Sequence, residues 1–169
     1  MTNHIKEQIL SITLQVAQRD LARTKNIDGF LLYQLKKRLE KKCGECGYVV
    51  ENSISIVERS HGIYRTIDNQ SKVQYEINYK VRTIDPQKDE IYECIVDSVT
   101  KMGIISYLSL NDDDTIENTP LLIIIPKDYI SADRFEKIEK GQKIEIVILD
   151  SRMKHLSNKI QSVGKLNPE

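Results

Sequence analysis

"IYECIVDSVTKMGIISYLSL", residues 91–110, reads as two strands joined at Lys101-Met102-Gly103, where glycine supplies the left-handed backbone a tight turn requires. Working outward, "NDDDTIEN" (111–118) is an acidic loop and "PLLIII" (120–125) a buried strand. "PKDYISADRF" (126–135) reads as a connecting turn or short helix. "KIEIVILDSR" (143–152) and "KIQSVGKL" (159–166) are the last two strands, separated by "MKHLSN". Five strands with one short helical segment after the third is the order expected of an OB-type barrel.

The first half has a different grammar. "SITLQV" (11–16) alternates Ile12, Leu14 and Val16 with polar neighbours, the period of a half-buried strand. From Asp28, "DGFLLYQLKKRLEKKC" places Phe30, Leu31, Leu35 and Leu39 on one helical face, with Asp28 as N-cap and Gly44 as stop. "YVVENSISIVE" (48–58) reads as one strand and "RSHGIYRTIDNQS" (59–71) as a loop or irregular hairpin tip. "KVQYEINYKVRTI" (72–84) alternates Val73, Tyr75, Ile77, Tyr79 and Val81 and is the clearest strand of this half. The turn-rich "DPQKDE" (85–90) marks a domain boundary, giving domains 1–84 and 85–169.

Composition narrows the function classes. Lys+Arg and Asp+Glu both total 25 of 169 residues, so no global positive field recruits nucleic acid and any such binding needs a local patch. The longest apolar run, "LLIII", is strand length, far short of a membrane span, and "MTNHIKEQIL" lacks the pattern of a secretory signal. Three cysteines, an odd number, argue for a reducing, intracellular setting.

The one motif with metal or redox spacing is "KKCGECGYVV" (41–50), where Cys43 and Cys46 form a CxxC pair. A structural zinc site needs four ligands, yet Cys94 stands alone and His4, His61 and His155 are scattered. A redox pair belongs at a helix N-terminus, where the dipole lowers the thiol pKa, and this pair follows a helix C-terminus. The favoured reading is a structural turn, with zinc and redox chemistry as the alternatives. Asp112, Asp113 and Asp114 lack the alternation and glycine of a calcium loop. No catalytic motif, cofactor motif or metal site is visible, so the chain is expected to be no enzyme. For nucleic acid, Tyr107 is placed to stack a base or simply to cover a barrel face, with Lys101 and Lys127 as phosphate partners.

Four stretches together resemble one family, the stalk subunit of archaeal and eukaryotic-type multisubunit DNA-directed RNA polymerases, known in RNA polymerase II as its seventh subunit. "SITLQV" resembles its opening strand. "GECGYVV" (44–50) resembles its glycine-marked strand start, with Gly44, Gly47 and Tyr48 in place. "YEINYKVRTIDPQKDEI" (75–91) resembles the interdomain junction at Tyr79, Lys80, Pro86, Lys88 and Glu90, and "GQKIEIVILDSRMKHLSNKIQSVGKL" (141–166) the closing strands. Order and spacing carry the resemblance over nearly the whole chain.

The resemblance implies an α+β N-terminal ribonucleoprotein-like tip domain followed by an all-β S1-type OB barrel. It implies a non-catalytic role in transcription: the tip docks on the polymerase core near the clamp, and the S1 domain offers nascent single-stranded RNA a weak surface. By position His61, Gly62, Ile63 and Tyr64 are the core-docking tip, against the alternative of an ordinary mobile loop. The implied partners are the largest and other core subunits, and a fourth-subunit-like stalk partner for which the apolar positions of strand 73–81 offer a contact. The cysteines become incidental, while Gly44, Gly47, Tyr48 and Gly103 hold turns. The chain departs from the family in having Asp89 where glycine precedes the Glu that opens the S1 domain, and Ile105 in place of an exposed aromatic. Its tip loop is also shorter and lacks a glycine-rich stretch. Such divergence in an Ile- and Lys-rich chain fits a large DNA virus carrying its own polymerase, which would place the protein in host cytoplasm and virion; a cellular member would be nuclear. The competing function is a free-standing S1-domain RNA-binding protein of translation-factor type.

Overall fold

The computed structural model describes residues 4–168. In chain order its elements are β1 (Ile5–Ala17), α1 (Gln18–Ala22), α2 (Ile27–Leu39), β2 (Cys43–Gly44), β3 (Gly47–Val49), β4 (Ser55–Arg59), β5 (Ile63–Ile67) and β6 (Gln70–Ile84). There follow β7 (Ile91–Thr100), β8 (Gly103–Tyr107), β9 (Leu121–Pro126), a 3-10 turn (Lys127–Tyr129), α3 (Ala132–Phe135), β10 (Lys143–Arg152) and β11 (Ile160–Leu166). The chain is mostly β with few helices. Among the described residues no helix is long and apolar enough to cross a membrane.

Two compact units result. Of the described residues, one comprises Lys6–Glu40 and Val49–Thr83; the other holds residues 4–5, Lys41–Tyr48 and residues 84–168.

In the first unit β6 is the spine. It pairs with β1, and antiparallel with β4 (Ile56 opposite Tyr79) and β5 (Ile63 opposite Gln74). Its alternation puts Val73, Tyr75, Ile77, Tyr79 and Val81 on one face, all buried with Leu14, Val16, Leu31 and Leu35 of β1 and α2. Burying a leucine fully contributes about 2 kcal/mol, so Leu31 and Leu35 fasten the helix to the sheet. The apolar positions of 73–81 are therefore core, which corrects the expectation that they offer a partner an exposed contact. The other face is polar, with Lys80 on Glu7 at 2.8 Å and Ser11 donating to Asn78 at 2.6 Å.

Local differences from the sequence reading have identifiable causes. The cap of α2 is Asn26, whose Oδ1 accepts from the Gly29 amide at 3.1 Å; Asp28 lies inside the first turn and pairs with Arg59 instead. Gly44 is not the helix stop. The chain leaves the helix at Glu40 and reverses at Lys41, φ +58°. The stretch 48–58 is broken into β3 and β4 by a turn at Asn52, φ +57°. Of the two readings of residues 59–71, the hairpin is the one realised: β5 occupies Ile63–Ile67 and returns into β6 through Asp68 and Asn69, φ +51° and +59°. Two consecutive left-handed residues make the tight hairpin turn that follows the strand twist.

In the second unit β7–β11 close a barrel in the order β10-β11-β9-β8-β7. All its pairs are antiparallel save β9 and β11, which run parallel with Ile160 beside Leu121. With the short helical segment between the third and fourth strands, this is an OB-like barrel. Register shifts between Val96 and Ser98 and between Ile148 and Asp150 supply bends that closure requires. Alternate residues fill the interior, Tyr92, Ile104, Leu121, Ile123, Ile125, Ile146, Ile148 and Ile160 being fully buried.

Candidate functional site

The tip residues come from the link between β4 and β5. Ser60 fixes that link: its amide donates to the Glu76 carbonyl at 2.9 Å, and its hydroxyl accepts from the Glu76 amide at 2.9 Å. At Gly62 a side chain would meet Val73 Cγ1 at 2.6 Å and the Tyr75 ring at 3.0 Å, so any larger residue has to displace those side chains. His61 is exposed, as are Ile63 at 50% and Tyr64 at 72%. Ile63 and Tyr64 are consecutive on a strand and point to opposite faces, Ile63 opposite Gln74 and Tyr64 opposite buried Val73. A partner that touched both would have to clasp the edge of the hairpin. Val57, 56% exposed at the register shift of β4, adds a further apolar side chain to this unit's surface.

On the barrel, Gly103 has φ +147°, and a Cβ there would lie 2.1 Å from the Ile125 carbonyl oxygen. The β7–β8 turn thus presses its backbone onto β9, and the Lys127 amide donates to the Met102 carbonyl at 3.0 Å. Lys101 and Lys127 are both exposed at this end, Lys127 lying over the Phe135 ring at 5.3 Å. Tyr107 stands at the other end of β8, opposite Ile95 and Leu122. Four strand steps separate it from Gly103, roughly 13 Å. The structure brings the two lysines together and leaves Tyr107 apart, so the expected cluster of one aromatic with two nearby cations is corrected to a split arrangement.

The cysteines lie where sequence leaves least chemistry for them. Cys43 pairs with Tyr48 in the β2–β3 hairpin, and its backbone exchanges hydrogen bonds with Leu156 and Ser157. Burial pushes its thiol up to about 11. Burial first, then the Glu93 charge, pushes Cys94 up to about 12. Both shifts disfavour the thiolate that a metal ligand or a nucleophile needs. Among the described residues no group of three or more His, Cys, Asp or Glu is placed to hold a metal ion. Asp114 of the acidic loop accepts from the Leu110 and Asn111 amides at 2.6 and 2.8 Å, which is turn chemistry. In the hairpin Gly47 takes φ +121°, where a Cβ would meet the Ile84 carbonyl oxygen at 2.6 Å, and Tyr48 is buried; Gly44 has no such demand.

The sequence reading missed the outer surface of the barrel. "LLIII" puts Leu121, Ile123 and Ile125 inside, but it also puts Leu122 and Ile124 outside, Ile124 being 41% exposed. Ile105 and Tyr107 of β8, Ile95 of β7 and Val163 of β11 continue that outer apolar face through the strand register. The signal was present as an apolar run without alternation, which fits a strand covered on both faces as well as one with an apolar outer side.

No protein-family model matches the chain, and no curated protein matches it. Among solved structures it is similar to the uncharacterized protein MJ1198 from Methanocaldococcus jannaschii, at 15% identity and a TM-score of 0.37, over 50% of this chain and 97% of that one.

Proposed function

We propose that the protein is a non-catalytic stalk subunit of a DNA-directed RNA polymerase, an α+β tip domain joined to an S1-type OB barrel. The observation that carries this reading is the backbone at Asp89. The family resemblance expects glycine immediately before the Glu that opens the S1 domain. Asp89 occupies that position with φ +69°, a left-handed angle that glycine adopts freely and aspartate tolerates. The departure in residue type thus falls at a position whose backbone a glycine would suit. Hydrogen bonds hold the rest of the junction around it. The Asp89 amide donates to the Ile148 carbonyl at 2.8 Å, and the Ile148 amide donates to the Glu90 carbonyl at 2.9 Å. Glu90 accepts from the Gln87 amide and the Tyr92 hydroxyl, and Pro86 accepts from Ser151. A five-stranded OB-like barrel following this junction is the second support.

In this reading the exposed hairpin bearing His61, Gly62, Ile63 and Tyr64 docks on the polymerase core near the clamp. Such a role needs no titratable constellation, only apolar side chains that lose water on contact. Nascent RNA meets the lysine end of the barrel, Lys101 and Lys127, weakly and with strong salt dependence. A fourth-subunit-like partner, if the assembly has one, contacts some surface other than the buried side chains of β6.

The test is to affinity-purify the tagged protein from its source and identify what accompanies it, beside a double variant Ile63→Asp, Tyr64→Asp. Large polymerase subunits are expected with the wild type and lost from the variant. Recovery alone, or with ribosomal material, would instead favour the free-standing S1-domain RNA binder.

A further inference from the structure

The β2–β3 hairpin is a piece of the first half of the sequence that belongs to the barrel unit. The chain leaves the first unit after Glu40 and returns to it at Val49. The neck of this excursion is pinched by Glu40, whose Oε1 accepts from the Asn52 amide at 2.9 Å. Beyond the neck the hairpin is seated at two points. Gly47, at φ +121°, lies so close to the Ile84 carbonyl oxygen that a Cβ would come within 2.6 Å of it. Buried Cys43 donates its amide to the Ser157 carbonyl at 2.7 Å, and its carbonyl accepts from the Leu156 amide at 2.9 Å.

The segment gripped in this way is the β10–β11 loop, residues 153–159. Leu156 there is 59% exposed and holds φ +63°, an angle that a bulky residue keeps only with outside support. The grip passes on to a second loop. Ser157 Oγ donates to the Lys159 carbonyl at 2.9 Å, and the half-buried Lys159 Nζ donates to the Ile116 and Glu117 carbonyls at 3.0 and 3.4 Å. Those carbonyls belong to the turn that closes the acidic loop. In it the Asn118 amide donates to the Thr115 carbonyl at 3.2 Å, and Asn118 Oδ1 accepts from the Thr115 amide at 2.6 Å.

We infer that the β2–β3 hairpin is a strap that sets the form of two barrel loops, residues 153–159 directly and the turn at 115–118 through Lys159. The inference stands apart from the polymerase reading and does not require it. Both links have the geometry to carry it. The two Cys43 bonds have the lengths of strong amide–carbonyl hydrogen bonds, and an ammonium on two carbonyls is charge-assisted. The barrel ladders depend on neither link, since β7–β11 pair with one another in a closed ring. The strap can therefore lift while the ring stays shut, a local opening of lower free energy than unfolding. Both loops lie where β9 and β11 begin, the Ile160 amide donating to the Pro120 carbonyl at 2.8 Å. Anything that reshapes either loop loosens the strap, and by linkage anything that lifts the strap frees both loops.

Amide hydrogen exchange of the full-length chain, read residue by residue by NMR, tests this. In the wild type the Cys43 and Leu156 amides are expected to open together, with a smaller urea dependence than the amides of β8 and β9. Gly47→Val puts a branched side chain at φ +121° against the Ile84 oxygen. It should bring the Cys43, Leu156, Thr115 and Asn118 amides to within about tenfold of free-peptide rates, while β8 and β9 stay protected at least about 100-fold. Lys159→Met, which leaves the strap seated, should free Thr115 and Asn118 but not Cys43 and Leu156. Continued protection of Cys43 and Leu156 in Gly47→Val would overturn the inference. So would loss of protection in β8 and β9 alongside them, or failure of that variant to fold, since the hairpin would then be barrel core and no strap. Unchanged Thr115 and Asn118 amides in Lys159→Met would break the second link, and with it the claim that one strap sets both loops.

Discussion

Asp89 ties conformation to residue type at a single position. A left-handed backbone costs an L residue roughly 1–2 kcal/mol, less for Asp and Asn, and its amide here is engaged with the Ile148 carbonyl. Asp89→Gly should therefore be neutral or stabilise the protein by up to about 1 kcal/mol, the gain partly offset by the freer unfolded chain. Asp89→Val, whose branched Cβ resists this angle, should cost about 1–3 kcal/mol. Urea melts of the two variants decide the point, and equal stabilities would remove the conformational argument for the junction. Residue-scale features of this kind were the least legible ones. Asn26 and Asp28 are both good caps, and the choice between them rests on where the chain turns into the helix, which neither side chain announces. The left-handed Lys41 that ends this exit carries no sequence signal at all.

Elements were legible in proportion to the length of their alternation. Strand β6 was readable because five apolar residues recur at every second position beneath one helix. Strand β5 was missed because Ile63–Ile67 is exposed nearly throughout, so no face of it alternates. Its signal was the Asp-Asn pair at 68–69, residues that tolerate two left-handed angles in succession. The β7–β8 turn was read correctly from Gly103, and the geometry now gives that glycine a magnitude. A methyl at 103 would lie 2.1 Å from the Ile125 oxygen while forcing a side chain into φ +147°. Gly103→Ala should destabilise by about 2–3 kcal/mol. Gly44→Ala is the internal control: the nearest atom to its Cβ is 3.9 Å away and its backbone is ordinary, so the change should stay within about 0.5 kcal/mol. Comparable losses in the two melts would mean that the turn is not pressed onto β9 as described.

For the molecule as a whole, the barrel order was legible because its five strands follow one another with a single helical interruption, whereas its outer apolar face was not. A sequence shows that a run is apolar but not whether anything covers its second face. Two of the three cysteines, Cys43 and Cys94, are buried, which their spacing in the sequence does not announce. That burial predicts a pH dependence. Cys43 and Cys94 have folded-state pKa values raised from about 9 to about 11 and about 12, and burial with the neighbouring Glu90 raises Tyr92 as well. A group raised in this way keeps its proton in the folded state after the unfolded chain has lost it. The contribution of the two thiols is complete below pH 9 and falls as pH rises above it, and that of Tyr92 falls only above about pH 10, by up to about 1.4 kcal/mol per pH unit for each group. Unfolding free energies measured in urea should accordingly be level from pH 7 to about 8.5 and decline steadily between 9 and 10.5. Cys94→Ala should be about 1 kcal/mol less stable at pH 7 for its lost packing and should show a shallower alkaline decline. If instead the wild type and Cys94→Ala declined in parallel, the Cys94 thiol would be titrating at its ordinary pKa in the folded protein, and the case against thiolate chemistry at that position would fail.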